Sequence, residues 1–323
     1  MTNIDANTSL IDLTDLFNKH KVLYKNEILL EISTAGEGNM NVVLRVKTNS
    51  RSLIFKQSRS YVQKYPDILA PIERIGVEYN FYKTIDNNGL KNNFPKIISY
   101  VKESFFITLE DLGNFDDFSS IYSNRKISKE SIFKLTKILE DIHSCHYDIN
   151  YPLNNDLKKL NHQHIFVLPF IKDNGFPLNS VQPGLEKLAH SFINNESLKN
   201  RSLFIGDQYL KKGKTLLHGD FYPGSWMKNN DGIYIIDPEF SFIGDLEFDL
   251  GVFIAHIIIT TLDEKYLTEI LNYYSKSVNR KLVENYLGIE IIRRIIGLAQ
   301  LPINLSLDEK DKLLKFSKHL LLN

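Results

Sequence analysis

The segment Leu217–Gly224 reads LHGDFYPG, and an apolar run separates it from a second acidic pair in Asp237-Pro-Glu239. A carboxylate on a Gly/Pro-rich loop, followed by two more after a strand, suits phosphoryl transfer. That reaction needs one carboxylate to orient an attacking hydroxyl and take its proton, and others to hold Mg2+ against nucleotide phosphates. Asp220 is the candidate base, Asp237 the first candidate metal ligand and Glu239 the second. His-Gly-Asp alone is equally well an Asp that caps a turn. The order of the remaining parts is what favours the chemistry.

Those parts lie upstream. Gly36 and Gly38, with Asn39 beside them, sit in the strand–loop–strand turn TAGEGNMN, whose backbone N–H groups can cover phosphates, although most such turns are only hairpins. Lys56 lies in the apolar strand SLIFKQ and needs a partner. Glu78 on the following helix is the natural one, and together they can fix the α- and β-phosphates. Glu110-Asp111-Leu112 closes the fifth strand, where a hinge backbone would meet adenine through Glu110 and Leu112. Asp249, in FDLG, is either a helix N-cap or a buried carboxylate fed by the catalytic-loop backbone. His218 and Trp226 read as loop-holding and packing residues, and Cys145 as a core thiol.

The elements that must carry these residues fall into two halves. Residues 10–26 read as a short amphipathic helix, and 27–33, 41–48 and 52–57 as strands. A helix opens at Pro71, and the strands KIISYVK and SFFITLED follow. Beyond about residue 113 the chain turns helical: a long helix at 127–146, a polar, helical insertion at 147–213, the strands KTLLH and GIYIID around the quoted loop, and almost unbroken helix from 246 to 322. The expectation is an α+β fold of two lobes, with residues 1–112 the β-rich nucleotide-binding lobe and 113–323 the catalytic and acceptor-binding lobe.

Bulk properties narrow the class. A chain of 323 residues suits two lobes, and its 43% hydrophobic and 24% charged residues are those of a globular protein. A formal net charge of zero argues against a nucleic-acid binder. One cysteine rules out an internal disulfide and fits a reducing cytoplasm. The amino-terminal residues lack a signal-peptide pattern, and the longest apolar run, at 250–262, is too short to span a bilayer and carries His256, so no membrane role is expected.

Taken together, these segments resemble the kinase-like small-molecule phosphotransferases: the aminoglycoside phosphotransferase and choline kinase superfamily, and within it most nearly the methylthioribose kinases. The resemblance runs through GEGNMNVVLRV, SLIFKQSRSYV, ERIGVEY, LEDL, HGDFYPGSWM, DPEFSFIGDLEFDLG and IIRRIIGLAQ. It implies a bilobal protein-kinase-like fold, ATP and Mg2+ as cofactors, a small hydroxyl-bearing acceptor and a homodimer. It places Ser225 where kinases usually carry a metal-holding Asn. It places Arg293 and Arg294 on the twin-arginine motif that reaches the sugar and the transferred phosphate. Neighbours on a helix point about 100° apart, so the two arginines need not share one job. The loop FYPGSW departs from the methylthioribose kinase pattern, where a Leu-His-Thr-Gly-Ser-type loop is usual. Two other readings stand beside this one: an aminoglycoside, choline or amino-alcohol phosphotransferase, and a catalytically inactive kinase-like binding module.

Overall fold

A computed structural model describes residues 3–36, 40–113, 115–229 and 232–323, and for Asp116 the backbone alone. Gly38 and Asn39 of the Gly-rich turn lie outside the described residues.

The amino-terminal half is built on strands β1 (Leu29–Thr34), β2 (Val42–Thr48), β3 (Ser52–Gln57), a small hairpin of β4 (Tyr61–Val62) and β5 (Tyr65–Leu69), then β6 (Ile97–Val101) and β7 (Phe106–Glu110). Five of them form one antiparallel sheet in the order β1-β2-β3-β7-β6. Side chains alternate along β3, and this decides what each face does. Leu53 and Phe55 join Phe106 and helix α1 (Leu10–Lys19) in one core, whereas Ile54 and Lys56 line a cleft on the opposite face. Helix α1 is capped by Ser9, which accepts from Asp12 N–H, and buries Leu13, Leu16 and Phe17 at helical spacing. It stops at Lys19, short of the predicted residue 26, because Lys21 takes a left-handed conformation at φ 56°. Helix α2 (Arg74–Asn87) packs on the cleft side and buries Glu78.

The second half holds α3 (Ser120–Asn124), α4 (Lys129–Ile142), α5 (Asn155–His162), α6 (Leu178–Val181), α7 (Leu185–Ile193), α8 (Glu196–Leu210), α9 (Glu247–Thr261), α10 (Tyr266–Tyr273), α11 (Arg280–Ile296) and α12 (Leu307–Leu322). Short strands β8 (Asp116–Asp117), β9 (Thr215–Leu217), β10 (Trp226–Lys228), β11 (Ile233–Ile235) and β12 (Phe242–Gly244) frame the catalytic loop. Helix α9 is buried nearly all round, as its largely apolar sequence demands. It lies against α11 so closely that a Cβ on Gly251 would stand 2.6 Å from Tyr286 Cβ. The stretch 147–213 is not an appended insertion. Leu157, Phe166, Leu185, Phe192, Leu198 and Tyr209 from it are part of the same core as α9 and α11.

The architecture is α+β and bilobal, with a sheet-based lobe and a helical lobe. One apolar cluster runs through both, from Ile75, Phe81 and Leu109 to the helices around α9, so the cleft has a continuous floor. Among the described residues, no helix is long and apolar enough to cross a membrane.

Candidate active site

Gly36, Lys56, Glu110, Leu112 and Asp237 line one cleft of about 850 Å3. Val43, Ile54 and Leu109 add apolar wall. Gly36 holds φ at +102°, a conformation that glycine adopts without penalty, where the chain turns between β1 and β2.

Lys56 reaches this cleft from β3 and is almost fully buried. Its ammonium lies 2.7 Å from Glu78 on α2 and also pairs with Asp237 in the loop after β11. Burial works against the charge, but Asp237 and then Glu78 outweigh it and hold the Lys56 pKa well above the usual lysine value. Burial raises the Glu78 pKa, and Lys56 opposes this. Asp237 has a left-handed backbone, φ 62°, and a side chain 45% exposed.

Glu239 does not join Asp237. The left-handed turn at Asp237 and the short helical turn Pro238–Phe240 send Glu239 inward, where its Oε2 lies 3.0 Å from Arg74 Nε and accepts from Asn41 Nδ2 at 3.0 Å. The structure therefore brings one carboxylate of the expected metal pair, Asp237, to the cleft, and turns the other onto α2 and the residue before β2. Burial lifts the Glu239 pKa to about 7 even against the pull of Arg74. Among the described residues, no group of three or more His, Cys, Asp or Glu is arranged to hold a metal ion.

The catalytic-loop candidate is built from its backbone outward. Asp249, in the first turn of α9 and fully buried, accepts from His218 N–H at 2.7 Å and Gly219 N–H at 3.0 Å. This is the buried-carboxylate alternative, not the plain helix cap. His143 Nε2 donates to the same carboxylate at 3.2 Å. Gly219 has φ +83°, and a Cβ there would lie 2.1 Å from Phe240 O, so only glycine fits. His218 Nε2 donates to Ile236 O at 3.0 Å, which joins this loop to the one carrying Asp237. Trp226 is fully buried against Phe221 and Phe253.

Ser225 is a staple within the loop. Its hydroxyl is buried and lies 2.8 Å from both Asp220 O and Tyr222 O, either of which can take its one proton. The oxygen expected at a metal-ligand position thus faces the loop backbone in this structure.

Asp220 itself faces cations. Arg294 Nη2 stands 3.9 Å from Asp220 Oδ1. Burial raises the Asp220 pKa to about 6, while Arg294 and Arg293 pull it down. Both arginines are bound by one buried carboxylate that the sequence reading had not singled out, Glu290 on the same helix: Arg294 Nε at 2.6 Å and Arg293 Nη1 at 2.9 Å. The i, i+3 and i, i+4 spacing of Glu290, Arg293 and Arg294 was the available signal. His256 of α9 donates from Nε2 to Glu290 at 3.1 Å and accepts from Tyr122 at 2.6 Å on Nδ1. Burial pushes the His256 pKa down to about 4, so the ring is neutral. The Arg294 guanidinium also lies over the Tyr222 ring, 5.1 Å from its centre. Glu290 thus anchors both arginines, and Arg294 is the one whose guanidinium also meets Asp220.

Comparisons with known proteins bear on the family and the fold. The model of the Phosphotransferase enzyme family matches residues 31–284. Methylthioribose kinase of Exiguobacterium sibiricum is 25% identical over 316 residues, 82% of this chain and 79% of the relative. Methylthioribose kinase of Geobacillus thermodenitrificans is 23% identical over 353 residues, 93% and 87%. Among solved structures, a spectinomycin phosphotransferase in complex with ADP and spectinomycin superimposes with a TM-score of 0.56 at 15% identity, covering 98% of each chain. Choline kinase LicA from Streptococcus pneumoniae superimposes with a TM-score of 0.53 at 13% identity, covering 96% and 99%. At these identities the structural likeness speaks for the fold alone.

Proposed function

This chain belongs to the phosphotransferase enzyme family and is a small-molecule kinase; from that premise we propose that it transfers the γ-phosphoryl group of ATP to a hydroxyl of a small sugar-like metabolite, methylthioribose or a close relative. The observation that carries the reading is the facing pair of Asp220 and Arg294 beyond a nucleotide-sized cleft, with Arg294 fixed by a buried carboxylate. Residues 1–112 bind the nucleotide in this account, and residues 113–323 supply the base and the acceptor site.

Lys56, held by Glu78, steadies the α- and β-phosphates from the sheet side. Gly36 and the backbone near Glu110 and Leu112 cover the rest of the nucleotide. Mg2+ sites use one or two carboxylates together with phosphate oxygens and water. Asp237, half-exposed in the cleft wall, fits that donor set, and Glu239, turned onto Arg74, does not. An ion held by Asp237 would neutralise charge on the phosphates. Asp220 orients the acceptor hydroxyl and takes its proton as the new O–P bond forms and ADP departs. Arg294 stabilises charge on the moving phosphoryl group, and Arg293 extends the cationic surface toward the acceptor.

This surface also bears on acceptor class. The two arginines are balanced by Glu290 and Asp220, so this cluster offers no acidic surplus to draw a cationic acceptor beside the base. A neutral polyhydroxyl acceptor suits it better than an aminoglycoside or choline. The reading is tested by ADP release from Mg-ATP with methylthioribose, spectinomycin and choline as acceptors. Turnover on methylthioribose supports it. Turnover only on the cationic acceptors would reassign the substrate, and nucleotide binding without turnover on any acceptor would favour an inactive module.

A further inference from the structure

Arg45 lies in the wall of the same cleft, on β2, and has no role in the chemistry described above. In the sheet register it stands opposite Ile54 of β3, which stands opposite Leu109 of β7. Its side chain therefore crosses the width of β3 to reach the segment that follows β7. There it forms a forked pair with Asp111: Nε to Oδ2 at 2.8 Å and Nη2 to Oδ1 at 3.0 Å. The same Nη2 donates to Gly113 O at 2.8 Å. Asp111 is only 6% exposed and also accepts from Ser52 Oγ at 2.6 Å and from Gly113 N–H at 3.0 Å.

This differs from the surface pair Lys47–Glu31 on the same sheet, where both side chains are about half exposed and touch only each other. Strands β2, β3 and β7 are already joined by their ladders and need no further tie. What the Arg45–Asp111 pair adds is a hold on the loop. Both backbone polar groups of Gly113 are bound, with φ at +89°, and Leu112 is presented to the cleft between two fixed neighbours. Charge-assisted forked pairs of this type carry both strength and orientation.

We propose that Arg45 is a positioning residue for the nucleotide: locked on Asp111 and Gly113, it fastens the segment after β7 to the sheet and sets the backbone that meets the base. The inference rests on the reading that this cleft holds ATP. It makes affinity for the nucleotide depend on a residue whose guanidinium is engaged by Asp111 and Gly113.

The test is direct calorimetric binding of Mg-ATP to the full chain and to Arg45→Met, Arg45→Lys, Asp111→Asn and the Arg45→Met/Asp111→Asn double variant, with thermal unfolding of each. The expected result is a Kd raised roughly tenfold in each single variant, the loss anticipated for one forked charged pair. Arg45→Lys should bind no better than Arg45→Met, because an ammonium cannot bridge Asp111 and Gly113 with a planar fork. The double variant should bind about as well as the singles, since both changes open one latch. Wild-type affinity in the variants, even with lowered thermal stability, would overturn the proposal by reducing the pair to a structural tie. So would single effects that multiply in the double variant. A wild-type chain that fails to bind Mg-ATP would instead overturn the nucleotide reading, and the latch with it.

Discussion

The two ends of the site both rest on a buried cation held by a buried carboxylate, but they are assembled differently. At the nucleotide end, Lys56 comes from the sheet, Glu78 from α2 and Asp237 from the far lobe, so the ion pairs bridge the two lobes. At the acceptor end, Arg293, Arg294 and Glu290 all lie within two turns of α11, and α9 and α3 only support them through His256 and Tyr122. The first end changes when the lobes move. The second is a preformed surface whose shape depends on one helix. On this account, nucleotide affinity and acceptor chemistry are separable, and each can be damaged alone.

The strongest way to break the nucleotide end is Lys56→Met. It leaves Glu78 fully buried without its cation, a change that typically costs about 3–5 kcal/mol. Denaturant unfolding should show that loss, and Mg-ATP affinity should fall with it. The counterpart at the acceptor end is Glu290→Gln, which keeps the shape and removes the charge that gathers both arginines. A loss of about 1–3 kcal/mol in stability is expected. Turnover should drop while the Kd for Mg-ATP stays at the wild-type value, and a shift in that Kd would erase the distinction between the ends.

Protonation sharpens the comparison further. Burial raises the Asp220 pKa from 3.8 to about 6, so the folded chain holds this proton more tightly than the unfolded chain. Its contribution favours folding below the unfolded value and is lost as pH rises through about 6. Asp220→Asn removes that loss, so the variant should gain thermal stability over wild type at about pH 8 and show no gain at about pH 4. In turnover, wild type should lose activity as pH falls through about 6. Arg294→Met should move that limb upward, because it removes the cation that holds the Asp220 pKa down. The smallest effect expected is Ser225→Ala, about 1–2 kcal/mol in stability from losing the hydroxyl's donated bond and the one it accepts from Tyr222 N–H, with Mg-ATP affinity unchanged.

Much of this was legible in the chain itself, for reasons that differ by residue. Lys56 could be assigned to the cleft because strand alternation sets it opposite Phe55, and a lysine in an apolar strand requires a carboxylate such as Glu78. Asp249 could be placed under the catalytic loop because a carboxylate in an apolar helix start needs donors, and His218 and Gly219 offer them. The partner of Glu239 was hidden because two carboxylates two residues apart look like a pair. Nothing local reveals that a left-handed residue turns one away or that Arg74, far off in sequence, takes it. The stretch 147–213 looked polar because each of its helices also turns polar residues to solvent; the partner core comes from α9 and α11. The hairpin β4–β5 and the short strands around the catalytic loop have too few residues to show an alternating pattern.

The separation of the two ends is tested most directly by Asp220→Asn, measured for Mg-ATP binding and for ADP release with methylthioribose in the same preparation. The account predicts binding within about twofold of wild type and turnover lower by roughly 10²- to 10⁴-fold, the range that a positioned base supplies. Wild-type turnover in the variant, or a loss of nucleotide binding that matches the loss of turnover, would contradict it.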